Sequence, residues 1–159
     1  ILDCSGGGSC NGGYPYQGFQ YLTPNGAASL SDYPYIGTQQ QCSGAKQKNN
    51  KNLTGFSVMN IPNKSEAGYQ YWSANMVFSV VISYNRNLIN YSGGIFNDPN
   101  CVATQISTHV VPVIGYDNNQ HFWIIRNSWG PNWGEHGYMR MAKSGNNLCG
   151  IYNWGMLFK

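Results

Sequence analysis

The chain has 159 residues and a net charge of +3, and only 9% of its residues are charged, against about 25% in a typical soluble domain. That excludes a coiled coil and a charged disordered tail. The one basic cluster, Lys46, Lys48 and Lys51 in a polar stretch, is too small to point to nucleic acid, and no apolar run approaches the ~18 residues of a membrane helix, so neither nucleic acid nor membrane is expected as a partner.

The first third is rich in turn residues. Ser5–Ser9 and Cys10-Asn-Gly-Gly read as irregular chain. Tyr14-Pro15-Tyr16 opens a short helix, with Pro15 tolerated in its first turn. Phe19, Tyr21 and Leu22 form its apolar side, and Pro24-Asn25-Gly26 ends it. Asp32-Tyr-Pro-Tyr reads as extended, and Cys42 to Asn52 as a polar loop. Ser65 is placed to cap a helix from Glu66 to about Asn75. Four β-branched or alternating runs then read as strands: Val77–Ile82, Val110–Ile114, His121–Arg126 and Gly137–Met141. Pro112 assigns the second of these to an edge or a bulge, and Gly115–Gln120 forms the turn between the second and third. A helical, irregular front and a mainly antiparallel back make an α+β pattern with two lobes. The lobes are expected at 1–56 and 57–154, with 155–159 returning to the first.

Cys4, Cys10, Cys42, Cys101 and Cys149 make an odd count. In an oxidising compartment that leaves one thiol free or paired outside the chain. No spacing is C-x-x-C, so a zinc ribbon is not expected. Asn52-Leu-Thr, Asn63-Lys-Ser and Asn90-Tyr-Ser are glycosylation sequons and fit a secretory route.

The chemistry gathers around two residues. His109 stands where a polar loop meets an apolar strand, and Asn127 ends the next strand across the predicted hairpin. A simple register brings them to the same end. An Asn there accepts the imidazole N–H and fixes its tautomer, the task of the third member in a nucleophile–base–orienter site. Trp129 is placed to cover that bond, and excluding water strengthens it.

With these residues in place the sequence resembles a papain-family cysteine peptidase. Asn127-Ser-Trp-Gly-Pro-Asn-Trp-Gly-Glu-His-Gly-Tyr138 resembles the motif around the family's orienting Asn, and Thr108-His-Val-Val-Pro-Val-Ile-Gly-Tyr116 the segment carrying its His. Cys10-Asn-Gly-Gly-Tyr-Pro15 resembles the segment along the substrate cleft. Leu2-Asp-Cys4, Tyr33-Pro-Tyr35, Gly93-Gly-Ile-Phe96 and Cys149-Gly-Ile-Tyr152 follow the family's order. The resemblance implies a papain-like fold, one helical lobe and one antiparallel, barrel-like β lobe. It implies His109 as general base, Asn127 as orienter, Trp129 as shield and Trp133 as the wall on the leaving-group side. Gly12 and Gly13 become the backbone that bonds a peptide substrate, since only Gly lets a backbone lie that close to a ligand. Tyr14, Pro15, Phe78, Ser107, Thr108 and Trp154 become substrate-binding residues. Phe78 and Trp154 are bulky for their positions, which implies a shallow pocket preferring medium apolar side chains. The implied disulfides are Cys4–Cys42 and Cys101–Cys149, with Cys10 bonded to an upstream cysteine. The implied cofactor and metal content is none, the compartment lysosomal, vacuolar or secreted, and the binding partners a propeptide or cystatin-like inhibitors.

One departure stands out. The family's nucleophilic Cys lies about 130–150 residues before its His and Asn, in C-G-[SA]-C-[WY]. None of the five cysteines has that context, which places the nucleophile on an upstream segment or a partner chain. The front edge of the fold is expected to be incomplete and the chain alone inactive. Two alternatives stay open: an inert papain-like domain acting as a binding or structural subunit, and a secreted carbohydrate-binding module using Trp72, Trp123 and Trp154.

Overall fold

A computed structural model describes residues 1–44, 58–104 and 106–158. The Lys46–Lys51 cluster and the Asn52 sequon lie outside them. The chain divides into two compact units, Ile1–Val58 with Phe158–Lys159, and Met59–Leu157.

In the first unit, β1 (Gly8–Ser9) pairs antiparallel with β2 (Gly12–Gly13). The glycine-rich opening is therefore a tight hairpin rather than irregular chain. The reason is the approach of the two backbones: a Cβ on Gly8 would sit 2.6 Å from the Gly13 Cα, so only glycine forms this ladder. Tyr14 N–H donates to the Gly7 carbonyl (2.9 Å), and α1 (Pro15–Asn25) starts directly after it with Pro15 in its first turn. Pro24 lies within the last turn, and Gly26 closes the helix with its N–H on the Leu22 carbonyl (2.7 Å). No residue of α1 is fully buried. Beside it lies a hollow of about 600 Å³ lined by Ile1, Leu2, Tyr21, Leu22, Leu30 and Ile36 among others. Cys4 and Cys42 form a disulfide, while Cys10 is an exposed thiol whose Sγ faces the Gly37 carbonyl at 3.8 Å.

The second unit is built on a sheet of β3 (Val58–Asn60), β4 (Phe78–Ser83), β5 (Ile95–Phe96), β6 (Thr108–Asp117), β7 (Phe122–Arg126), β8 (Tyr138–Ala142) and β9 (Gly155–Phe158), in the order β3-β9-β4-β6-β7-β8-β5. The pairs β4–β6, β4–β9, β6–β7 and β7–β8 are antiparallel, and β5–β8 is parallel. Gly155–Leu157 pair with β4 and fall in this unit, and Phe158–Lys159 fall in the first.

Strand alternation sets the core. Phe78, Val80 and Ile82 of β4 are buried while Ser79 and Val81 are half-buried; Val111, Val113, Trp123, Ile125, Met139 and Met141 complete the packed face. β6 has neighbours on both sides, yet residues 108–112 pair with β4 alone, and the register with β7 shifts between Val113 and Gly115. Pro112 thus sits where no bond to β7 is lost. Ile114 is the extra residue of this bulge, and Gly115 pairs with Ile124 in the strand rather than lying in the turn. The turn falls later, between Asp117 and Phe122, where Gln120 N–H donates to the Asp117 carboxylate (2.7 Å).

The helix α2 (Glu66–Ser73) is capped by Ser65, whose Oγ accepts from Gly68 N–H (3.2 Å). It is locked to the sheet by Lys143. This buried ammonium donates to Gln70 Oε1 (2.8 Å) and Asn118 Oδ1 (2.7 Å), lies 3.6 Å from Glu66 and faces the Tyr116 and Trp123 rings, as a buried charge requires. The short α3 (Arg86–Ile89) follows β4 under an Asn85 cap. A second disulfide joins Cys101 to Cys149.

Candidate active site

His109 is the second residue of β6, and Asn127 follows the last residue of β7. Val113 pairs with Ile125, so continued pairing would set Val111, not His109, opposite Asn127. No β6–β7 pairing continues past Val113 and Ile125, and the two polar side chains meet beyond it. His109 Nε2 and Asn127 Oδ1 are 2.9 Å apart, and the same oxygen accepts from Ser128 N–H at 2.7 Å. An atom that accepts from an amide is the oxygen of the Asn side chain, which fixes its orientation. The neutral imidazole therefore carries its proton on Nε2 and leaves the Nδ1 lone pair free to take a proton. Both residues are half-buried, so the pair borders solvent.

Trp129 stacks on the imidazole with centroids 4.9 Å apart and planes at 20°. Trp133 meets Trp129 edge-on at 5.2 Å and is held from behind by its Nε1–H donating to the Ile89 carbonyl (2.9 Å) and by Tyr91 at 5.4 Å.

The segment from Asn127 to Tyr138 is tightly wound. Asn127 N–H donates to the Gly137 carbonyl (2.8 Å), and Glu135 accepts from Arg140 Nε (2.9 Å) and Gly94 N–H (2.9 Å). The Arg140 guanidinium holds the Glu135 carboxyl below the usual carboxylate range. Gly134 has φ +58°, and a Cβ there would lie 2.5 Å from the Tyr138 carbonyl oxygen. Gly134→Ala is expected to lower stability by about 1–3 kcal/mol. Thermal unfolding of the variant beside the parent protein checks this, and an unchanged Tm would contradict it.

The remaining predicted residues divide between the units. Gly12, Gly13, exposed Tyr14 and half-buried Pro15 belong to the first. Ser107 is half-buried and Thr108 exposed just before His109, and Trp154 is half-buried before β9. Phe78 does not join them. It is 2% exposed, paired with Val113 and Leu157, and packed edge-on against Tyr69 at 5.1 Å. Val81, half-buried on the other face of β4, donates its N–H to the Trp154 carbonyl (3.2 Å). Trp123 is fully buried, with Nε1 donating to the Tyr152 hydroxyl (3.2 Å), and offers no face to a sugar. Sequence reading also missed Tyr84, Tyr91 and Ile89 behind the two tryptophans. Asn63 and Asn90 are exposed.

A family model described as the papain family cysteine protease matches residues 1–157. The chain belongs to the papain family. It is 34% identical over 157 residues to a cathepsin L-like proteinase of Phaedon cochleariae, covering 95% of this chain and 47% of that protein. It is 35% identical over 162 residues to human cathepsin L2, covering 95% and 48%. Among solved structures, the bromelain protease of Ananas comosus in complex with the E64 inhibitor superposes with a TM-score of 0.82 at 32% identity, covering 99% of this chain and 74% of that one. The fold is thus papain-like, α+β, and the chain spans about half the length of the curated relatives it matches.

Proposed function

We propose that the complete protein is a papain-like cysteine endopeptidase to which this chain contributes the base and its orienter. The observation that carries this reading is the His109–Asn127 bond under the stacked Trp129, in a member of a cysteine protease family. Four of the five cysteines are tied in disulfides, and Cys10 is an exposed thiol in the β1–β2 hairpin. None of the five stands in the C-G-[SA]-C-[WY] context of the family's nucleophile, so the attacking sulfur is assigned to an upstream segment or partner chain. The apolar hollow beside α1 supports an additional apolar segment on the first unit, with Cys10 as its covalent tether.

The thiolate of that cysteine, paired with the His109 imidazolium, attacks the peptide carbonyl carbon. The tetrahedral intermediate collapses as Nδ1–H of His109 gives its proton to the leaving amine and the C–N bond breaks, leaving a thioester. His109 Nδ1 then takes a proton from water as the hydroxide oxygen attacks the thioester. Collapse releases the acid and restores the thiolate. Asn127 keeps Nε2–H bonded throughout, so one nitrogen alone exchanges protons with the substrate. Gly12, Gly13, Tyr14 and Pro15 on the first unit, and Ser107, Thr108 and Trp154 on the second, are the residues assigned to substrate binding. Two disulfides and the exposed sequon residues Asn63 and Asn90 favour a lysosomal, vacuolar or secreted setting, where a propeptide or a cystatin-like inhibitor restrains the enzyme.

With Phe78 in the core, the bulk that shapes the substrate pocket is Trp154. Medium apolar side chains are expected to be preferred there over Phe and Tyr. Cleavage of a peptide library by the complete protein tests both statements. Absence of any thiol-dependent cleavage would contradict the peptidase reading, and a strong preference for Phe or Tyr would contradict the pocket.

A further inference from the structure

Tyr84 touches both rings of the stacked pair. Its ring lies 6.4 Å from the His109 imidazole at 84° and 6.1 Å from Trp129 at 81°. With the 4.9 Å between His109 and Trp129, the three centroids form a nearly isosceles triangle. A ring on the far face of the imidazole would stand about 10 Å or more from Trp129, given ordinary ring separations. Tyr84 therefore stands across the edge of the stack and spans both rings.

Tyr84 is also fixed relative to the start of β6. Its N–H donates to the Ser107 carbonyl (3.0 Å), two residues before His109. The neighbouring Ser83 is buried. Its Oγ accepts from Thr104 N–H (2.7 Å) and donates to the Thr104 carbonyl (3.0 Å). The segment that delivers His109 is thus stitched to the end of β4 at successive residues, and the side chain at that seam is the one against the imidazole.

We propose that Tyr84 is a positioning residue for His109. Asn127 pins Nε2, the indole of Trp129 blocks tilting of the ring, and the Tyr84 ring blocks its sliding out of the stack at the edge it covers. Together they leave Nδ1 one direction in which to exchange its proton. This rests on the reading of His109 as the proton-transfer group. The ring carries the effect and the hydroxyl is dispensable. Misplacement of a reacting group by about 1 Å can cost up to about 100-fold in rate, so loss of one of three restraints should cost less.

The test compares Tyr84→Ala, Tyr84→Leu and Tyr84→Phe in the complete protein. For Ala and Leu, kcat is expected to fall about tenfold with KM within twofold. The imidazole Nε2–H proton signal of His109, seen by NMR, should exchange with water faster than in the parent. Tyr84→Phe should restore kcat to within twofold and restore the slow exchange. Leu keeps side-chain bulk, so it decides the matter if Ala does not fold. The proposal is overturned if Ala or Leu leaves kcat and the Nε2–H signal unchanged, or if Phe loses as much as Leu. His109→Ala measured in parallel separates the two failures: full turnover in that variant sinks the peptidase reading, while the Nε2–H signal of the Tyr84 variants still decides the positioning role.

Discussion

Replacing His109 by Ala in the complete protein is expected to lower turnover of a peptide substrate by about 10⁴-fold. In the proposed mechanism the imidazole acts twice, giving a proton to the leaving amine and then taking one from water, and without it the thiolate would also lose its counter-charge. Among the described residues, no hydrogen bond engages His109 Nδ1, while Nε2 is committed to Asn127 at 2.9 Å. Asn127→Ala should cost far less, about 10–100-fold, because it removes one hydrogen bond of about 1–3 kcal/mol and leaves the Trp129 stack in place. Steady-state kinetics of both variants beside the parent check the order. Equal losses, or a larger loss for Asn127→Ala, would contradict the division of roles.

The second large effect is on stability. Cys101 and Cys149 are buried and bonded, 48 residues apart in sequence. Closing a loop of that length removes about 4 kcal/mol of unfolded-chain entropy in the simplest model. The double replacement Cys101→Ala, Cys149→Ala is therefore expected to cost about 2–5 kcal/mol and to lower Tm by roughly 10 °C. The effect should reach the site. Cys149 N–H donates to the Cys101 carbonyl (2.6 Å), and the chain leaving Cys101 is stitched to Ser83 and Tyr84 before it delivers His109. Thermal unfolding of the variant, with its kcat at a temperature where it is folded, tests both parts. An unchanged Tm would contradict the first, and a parent-like kcat the second.

Much of this was legible in the sequence because local chemistry and tertiary need agree. Ser65 before Glu66 gave the start of α2, Pro15 the start of α1, and the β-branched runs the central strands. The His109–Asn127 pair was legible from the two residue types near one end of β6 and β7, although strand register alone would have set Val111 opposite Asn127. What was missed depended on approach between backbones or on which face of a strand a residue takes. Gly8 and Gly13 read as loop because nothing local announces that two backbones will touch. Phe78 was placed at the site by position in a motif, while the alternation of β4 turns it inward with Val80 and Ile82. Tyr84 lies just past a strand end with no periodic signal, and only the meeting of β4, β6 and the Trp129 loop shows what it touches.

The central claim is that His109 and Asn127 serve a nucleophilic cysteine outside these residues. An epoxide inhibitor of the E-64 class alkylates such a sulfur when it is a thiolate. Treating the complete protein and its His109→Ala variant with the epoxide, then mapping the modified residue by peptide mass spectrometry, tests the claim directly. The expected result is one modified cysteine, outside residues 1–159, labelled at stoichiometry in the parent and hardly at all in His109→Ala. Labelling of Cys10, or labelling at an undiminished rate without His109, would contradict it.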